Sequence, residues 1–177
     1  MKAAFIDRDG VINKDVGYIS NWAKFKYQPM IRDGLLTLIK KKFNLVLITN
    51  QGGVAKGIIK KNDVTHLHKL LLEDLAKDNI HFLDIKVCYH HPEGVLKEYE
   101  KYCDCRKPSP KMILDTALKH NINLRESILI GDRITDIEAG TSAGIELCVG
   151  LYGKYFTRDN LYNFPVFNNL NEFTKTI

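Results

Sequence analysis

Short apolar runs that alternate with segments of helical periodicity are the feature of this sequence that most restricts its fold. Ala3 to Ile6, Asn44 to Thr49, Phe82 to Val87, Ser127 to Ile130 and Glu146 to Gly150 read as strands, with Pro165 to Phe167 as a sixth. Strands with little inside-outside alternation must be covered on both faces. Between them lie a helical stretch from Ile31 to about Lys42, carrying Leu35, Leu38 and Ile39, and a second carrying Leu67, Leu70, Leu71 and Leu75, with Asn62 or Asp63 as its cap. A third runs from Pro110 to His120 and a fourth lies near Asp136 to Ala143. This alternation predicts an α/β domain with a doubly wound, Rossmann-like, mainly parallel sheet.

With 177 residues and no Gly/Ser/Pro linker or internal repeat, the chain is expected to form one domain over residues 1–177. No run approaches the roughly 18 apolar residues of a membrane span, and Ala3 to Ile6 leads into Asp7 without a signal-peptide layout. A soluble, cytoplasmic monomer with no membrane partner is the expectation. Basic residues exceed acidic ones by 26 to 21, yet they are scattered, with only short runs such as Lys40–Lys42 and Lys60–Lys61. A nucleic-acid binder gathers its cations in a stripe, so this surplus points to an anionic small molecule instead.

Ligands of doubly wound sheets bind beyond the carboxyl ends of the strands. The first strand ends in Asp7-Arg8-Asp9-Gly10, the second in Thr49-Asn50-Gln51-Gly52-Gly53, and the fourth in Gly131-Asp132-Arg133. Asp7 and Asp9, two residues apart, point the same way from a strand end. Beside Asp132 such a pair repels itself unless a divalent cation neutralises it, and oxygen donors select a hard ion such as Mg2+. A carboxylate also attacks phosphorus. One acid then serves as nucleophile, while the other, kept protonated by the crowding, donates to the leaving oxygen. Thr49 offers a hydroxyl, Asn50, Gln51 and Gly52 offer amide donors for phosphate oxygens, and Arg106-Lys107 offers a cation.

Three of the four cysteines fall within residues 88–105. Cys88, His90, Cys103 and Cys105 make a tetrahedral set of three thiolates and one imidazole, closed to water, as in a structural Zn2+ site. Pinning Cys105 fixes the next residues, Arg106 and Lys107, at the end of a long loop. Cys148 is expected in the core, His66 and His68 on the surface, and His91 as a loop residue or competing ligand.

Asp7-Arg8-Asp9-Gly10-Val11, the apolar run into Thr49-Asn50-Gln51, Lys107, and Gly131-Asp132 followed by Asp136 resemble the four ordered motifs of the haloacid dehalogenase-like (HAD-like) phosphatases. The likeness spans roughly residues 3–150. It implies Asp7 as nucleophile, Asp9 as general acid and base, and Thr49 and Lys107 as holders of the phosphoryl group. It also implies Asp7, Asp132 and the Asp9 backbone carbonyl as Mg2+ ligands. The cysteine–histidine loop resembles the small-capped group that contains D-glycero-D-manno-heptose 1,7-bisphosphate 7-phosphatases and the histidinol-phosphate phosphatase domain.

Asp15-Val16-Gly17-Tyr18 and Asn50-Gln51-Gly52-Gly53-Val54-Ala55-Lys56-Gly57 resemble stretches of the heptose enzymes, whereas Lys111 and Arg133 depart from their usual Gly and Lys. The likeness implies Arg106, Asp15, Gly17 and Tyr18 as substrate contacts and a phosphorylated sugar as partner. Histidinol phosphate is the alternative substrate. A non-catalytic phospho-acceptor switch would share the acidic pocket but needs no second acid such as Asp9. A zinc nucleic-acid module would need basic and aromatic residues around the metal, where Glu93, Glu98 and Glu100 stand instead. No segment is long enough for a cap domain, and Trp22, Phe25 and Tyr27 are expected to pack beneath a flap from Lys14 to Gln28.

Overall fold

The computed structural model describes residues 1–177. Six strands, β1 (Ala3–Ile6), β2 (Asn44–Asn50), β3 (Phe82–Cys88), β4 (Ile128–Gly131), β5 (Leu147–Leu151) and β6 (Val166–Phe167), form one sheet in the order β3-β2-β1-β4-β5-β6. Every pairing is parallel, with Ile6 opposite Leu47 on one side and Ile130 on the other. The helices are α1 (Ile31–Lys40), α2 (Lys61–Ala76), α3 (Lys111–His120), α4 (Ile134–Ser142) and a short α5 (Leu170–Thr174).

Period-two geometry splits the apolar strands between two cores. Ala4, Ile6, Leu45, Leu47 and Ile130 face Leu35 and Leu38 of α1, Leu71 and Leu75 of α2, and Leu170 and Phe173 of α5. Their neighbours Ala3, Phe5, Val46, Ile48 and Leu129 face Met112 and Ile113 of α3 and Ile137 and Ala139 of α4. Both faces are covered, so the strands have no solvent side to be polar on. A helix-to-helix close approach explains Gly34, where a Cβ would stand 2.6 Å from Leu170 Cγ.

The structure shifts some of the expected boundaries. Helix α2 begins before Asn62 and Asp63, with Lys60 at its N-cap and no side-chain cap. Helix α4 starts at Ile134, two residues earlier than expected, because Asp136 Oδ2 accepts the Arg133 N–H at 3.0 Å. Trp22, Phe25 and Tyr27 do pack on the α1 side of the core, Trp22 stacked on Phe25 with centroids 4.9 Å apart. Cys148 is buried in the opposite core. His68 is a correction: it is buried, 5% exposed, because the inward face of α2 passes over Arg8, whereas His66 is exposed. No helix is long and apolar enough to cross a membrane.

Strands β1 and β4 are central neighbours whose following segments leave toward opposite ends of the sheet, which opens a crevice at their carboxyl ends. The site lies there.

Candidate active site

The Asp7 N–H donates to the Ile130 carbonyl at 3.0 Å, which locks the end of β1 against β4 and sets Asp7 beside Asp132. The chain then turns through Gly10 at φ +87°, where a Cβ would lie 2.0 Å from Asp132 Oδ2. Glycine is required there twice over, for its left-handed backbone and for room beside the carboxylate. Asp7, Asp132 and Asp136 are all buried, and each offers an oxygen within 4.8 Å of the others'.

Lys107 arrives between them from the far end of the cysteine-bearing loop. Its Nζ lies 2.6 Å from Asp7 Oδ1 and 2.5 Å from Asp136 Oδ1, and donates to the Ile48 carbonyl at 3.0 Å. Burial pushes the Lys107 ammonium toward neutrality, but Asp136 and Asp7 outweigh it and hold the pKa above its ordinary value. Asn50 positions this lysine: its Nδ2 donates to the Lys107 carbonyl and its Oδ1 accepts the Lys107 N–H, both at 3.1 Å. The Asn50 side chain thus ties down the lysine's backbone, with one N–H of its amide left over, and Asn50 also lines the active-site cavity. Thr49 is buried beside it, its Oγ1 accepting from Gln51 Nε2 at 2.8 Å.

Asp9 overturns the expectation that crowding keeps it protonated. Its carboxylate turns toward Arg8, which has no solvent exposure and donates from Nη2 to both oxygens at 2.8 and 2.7 Å. Asn13 Nδ2 at 3.0 Å and Gln51 Nε2 at 2.8 Å donate to it as well. Burial alone pushes Asp9 up, yet the guanidinium and these hydrogen bonds outweigh it and hold the carboxyl below its usual range. Behind Arg8, its Nη1 donates at 3.0 Å to His68 Nε2. Arginine has no acceptor, so His68 is the neutral tautomer with its proton on Nδ1. The crowding falls instead on Asp7, raised to about 7 by burial, with Asp136 and Asp9 adding and Lys107 opposing. It falls equally on Asp132, raised to about 8 by burial and then by Asp7 and Asp136.

Such carboxylates fit a hard divalent cation. Asp132 Oδ1 is buried with no hydrogen-bond partner, Arg133 Nε standing off at 3.9 Å. Both Asp136 oxygens are already engaged: Oδ1 holds Lys107 and Oδ2 caps α4. Its place in the cluster is thus to anchor the lysine, a role that its position in the sequence, four residues beyond Asp132, did not disclose. Gly131 makes room for it, since a Cβ there would lie 2.2 Å from Asp136 Cβ.

The four sulfur and nitrogen donors on the adjoining loop also converge. Cys88 and Cys105 Sγ are 2.9 Å apart, Cys88 and Cys103 3.6 Å, Cys103 and Cys105 3.4 Å, and His90 Nδ1 lies 3.2 Å from Cys105 and 3.8 Å from Cys88. Ligands of a tetrahedral zinc stand roughly 3.5–3.8 Å apart, so the set matches in chemistry and closely in size. His91 is not in the set; it lines the active-site cavity.

That cavity has a volume of about 860 Å³. Asp7, Asp9, Asp15, Gly17, Tyr18, Thr49, Asn50, Gln51, Gly52, Arg106 and Lys107 line it together with Arg133 from the end of β4, and with His91, Lys154 and Tyr155, which sequence reasoning did not place there. Gly52 leaves space for Arg106, whose Nη1 would lie 3.2 Å from a Cβ, and Gly53 leaves space for the Tyr18 ring. Asp15 accepts the Gly17 N–H at 3.0 Å and pairs with Arg133 Nη2 at 3.1 Å.

Comparison with known proteins agrees with this geometry. A HAD-hydrolase-like family model matches residues 104–173. The chain is 38% identical over 177 residues, all of it and 97% of its relative, to a D-glycero-alpha-D-manno-heptose-1,7-bisphosphate 7-phosphatase of Photorhabdus laumondii. The chain belongs to the heptose-bisphosphate phosphatase family of HAD-like hydrolases. It is a phosphoric monoester hydrolase. A D-glycero-beta-D-manno-heptose-1,7-bisphosphate 7-phosphatase of Rhodopseudomonas palustris is 39% identical over 143 residues, 81% of this chain and 79% of the relative. Among solved structures, the D,D-heptose 1,7-bisphosphate phosphatase of B. bronchiseptica, complexed with magnesium and phosphate, superposes with a TM-score of 0.85 at 25% identity. That match covers 99% of this chain and 97% of the other.

Proposed function

We propose that this chain, acting as one domain, removes the 7-phosphate of D-glycero-D-manno-heptose 1,7-bisphosphate. The observation that carries the reading is the buried meeting of Asp7, Asp132 and Lys107 at the β1–β4 crevice, beside a cavity rimmed by further cations. Asp7 is the nucleophile. Its Oδ1 is taken by Lys107, which leaves Oδ2 to attack phosphorus, forming the Asp7–phosphate bond as the bond to sugar oxygen breaks. Asp9 delivers a proton to that oxygen, then takes one from the water that hydrolyses the aspartyl phosphate. Seen here it is ionised and held by Arg8, the form needed for the second step, so proton donation requires it first to turn away from Arg8 and take up a proton from solvent. Thr49 Oγ1 and Lys107 Nζ grip the phosphoryl oxygens. A magnesium ion held by Asp7, Asp132 and the Asp9 carbonyl supplies charge neutralisation between the two anions.

Zinc held by Cys88, His90, Cys103 and Cys105 takes no part in the chemistry; it fixes the backbone that presents Arg106 and Lys107. Arg106, Tyr18, Gly17, Gly52 and Asp15 contact the sugar end. The rim favours a bisphosphate over histidinol phosphate, because a cationic amine there would meet Arg106, Arg133 and Lys154. The test is phosphate release with both substrates. A kcat/KM at least tenfold higher for the heptose bisphosphate is expected, together with loss of turnover and a retained fold in Asp7→Asn. A preference for histidinol phosphate overturns the substrate, and Mg2+-dependent turnover in Asp7→Asn overturns the nucleophile.

A further inference from the structure

A bisphosphate bound by its 7-phosphate carries a second dianion into the cavity, and that group needs a cation not already neutralised. Of the lining cations, Lys107 lies between Asp7 and Asp136, and Arg133 is paired with Asp15. Two have no carboxylate partner. Arg106 donates to the His90 carbonyl at 3.3 Å and is tethered next to Lys107, on the wall built by the loops after β2 and β3. Lys154 comes from the opposite wall, the connection from β5 to β6; it makes no ion pair, and its Nζ lies 5.2 Å from the centroid of the Tyr155 ring.

We infer that Lys154, with Tyr155 as its platform, forms a second anion subsite that takes the phosphate not cleaved; the inference rests on the bisphosphate reading above. Three features make this a prepared site rather than a stray surface lysine. The Tyr155 ring carries a second cation, the Arg133 guanidinium, 3.9 Å from its centroid, and Asp15 fixes that guanidinium in turn. Two positive charges thus share one ring, a repulsive arrangement that a bound anion relieves. The next residue, Phe156, is buried and makes edge contacts with Tyr162 and Phe164 at 5.1 and 5.3 Å. The connection is also closed by hydrogen bonds, Gly153 N–H to the Phe156 carbonyl at 3.0 Å and Thr157 N–H to Tyr162 Oη at 2.8 Å. An apolar root and two hydrogen bonds hold the backbone that carries Lys154 at the cavity before the ligand arrives, which lowers the entropy cost of binding.

The experiment uses the full chain loaded with Zn2+ and Mg2+. Hydrolysis of p-nitrophenyl phosphate is inhibited competitively with fructose 1,6-bisphosphate and with fructose 6-phosphate, and the ratio of the two inhibition constants reads the second phosphate alone. Wild type is expected to favour the bisphosphate. Lys154→Met is expected to lower the ratio by about fivefold to tenfold, Lys154→Arg to restore most of it, and Lys40→Met, an equal change of charge on α1, to leave it alone. A ratio within twofold of wild type in Lys154→Met, an equal drop in Lys40→Met, or no bisphosphate preference in wild type overturns the subsite. Heptose bisphosphate turnover is measured in parallel. Its absence with a Lys154-dependent ratio sinks the substrate and keeps the subsite; its presence with an unchanged ratio does the reverse.

Discussion

His68 makes the stability of this protein depend on pH in a direction and amount that can be worked out. The imidazole is 5% exposed, and its Nε2 accepts a hydrogen bond from Arg8. A proton on Nε2 destroys that bond and sets two cations against each other. Burial, with Arg8 adding and Asp9 opposing, lowers its pKa to about 3 in the folded chain. The unfolded chain titrates near the ordinary value of about 6.5. Between these values the unfolded state binds a proton that the folded state refuses, so stability falls as pH falls. From pH 7 to pH 5 the loss is about 2 kcal/mol, because the unfolded imidazole goes from about one-quarter to almost fully protonated while the folded one stays neutral. By pH 3 the loss reaches about 4 kcal/mol. Urea unfolding of zinc-loaded wild type and His68→Gln at pH 7, 6 and 5 isolates the effect. Glutamine keeps an acceptor for Arg8 without a titrating group, and the acidic cluster is common to both proteins. The difference in unfolding free energy should shift by about 2 kcal/mol in favour of the glutamine variant by pH 5. A difference that stays flat to within about 0.5 kcal/mol would falsify the buried neutral histidine.

Asp7 and Asp132, raised to about 7 and about 8 in the absence of a cation, make protons compete with Mg2+. The apparent dissociation constant for Mg2+, followed by calorimetric titration, should rise roughly tenfold or more from pH 8 to pH 6; a flat profile speaks against their shared ligation. Gly10→Ala puts a Cβ at φ +87° and onto Asp132. It should cost about 1–3 kcal/mol of stability and weaken Mg2+ binding, seen as a lower Tm and a higher Mg2+ requirement for turnover. If neither moves, the close approach is not there. Removing zinc with a chelator should lower activity, and added Zn2+ but not Mg2+ should restore it. Native protein purified without zinc, yet fully active, refutes the structural role of the cysteine cluster.

Much of the fold and part of the site were legible along the chain. Residues 3–6, 44–49 and 127–130 are apolar at or near every position, which signals a sheet covered on both faces wherever it occurs. Polar residues ending β1, β2 and β4 then had to meet at one edge, because parallel strands all present their carboxyl ends on the same side. The Cys88, His90, Cys103 and Cys105 pattern was readable for a similar reason: two ligand pairs bracketing one loop need only that loop to close. Arg8 and Asn50 were harder, since a polar residue at a strand end gives no sign of which side it turns to.

The sequence by itself settled the alternation of strands and helices, the carboxylate-bearing edge and the ligand-type cluster, since each follows from spacings of a few residues or from strand direction. Only tertiary structure decided the pairings. Asp9 lies on a fully buried Arg8 backed by His68, 60 residues away, and Lys107 reaches Asp7 across 100 residues while Asp136 takes its other side. Whether a carboxyl group is ionised depends on which partner is within about 4 Å, and distances of that size between remote segments exist only once the chain has closed upon itself.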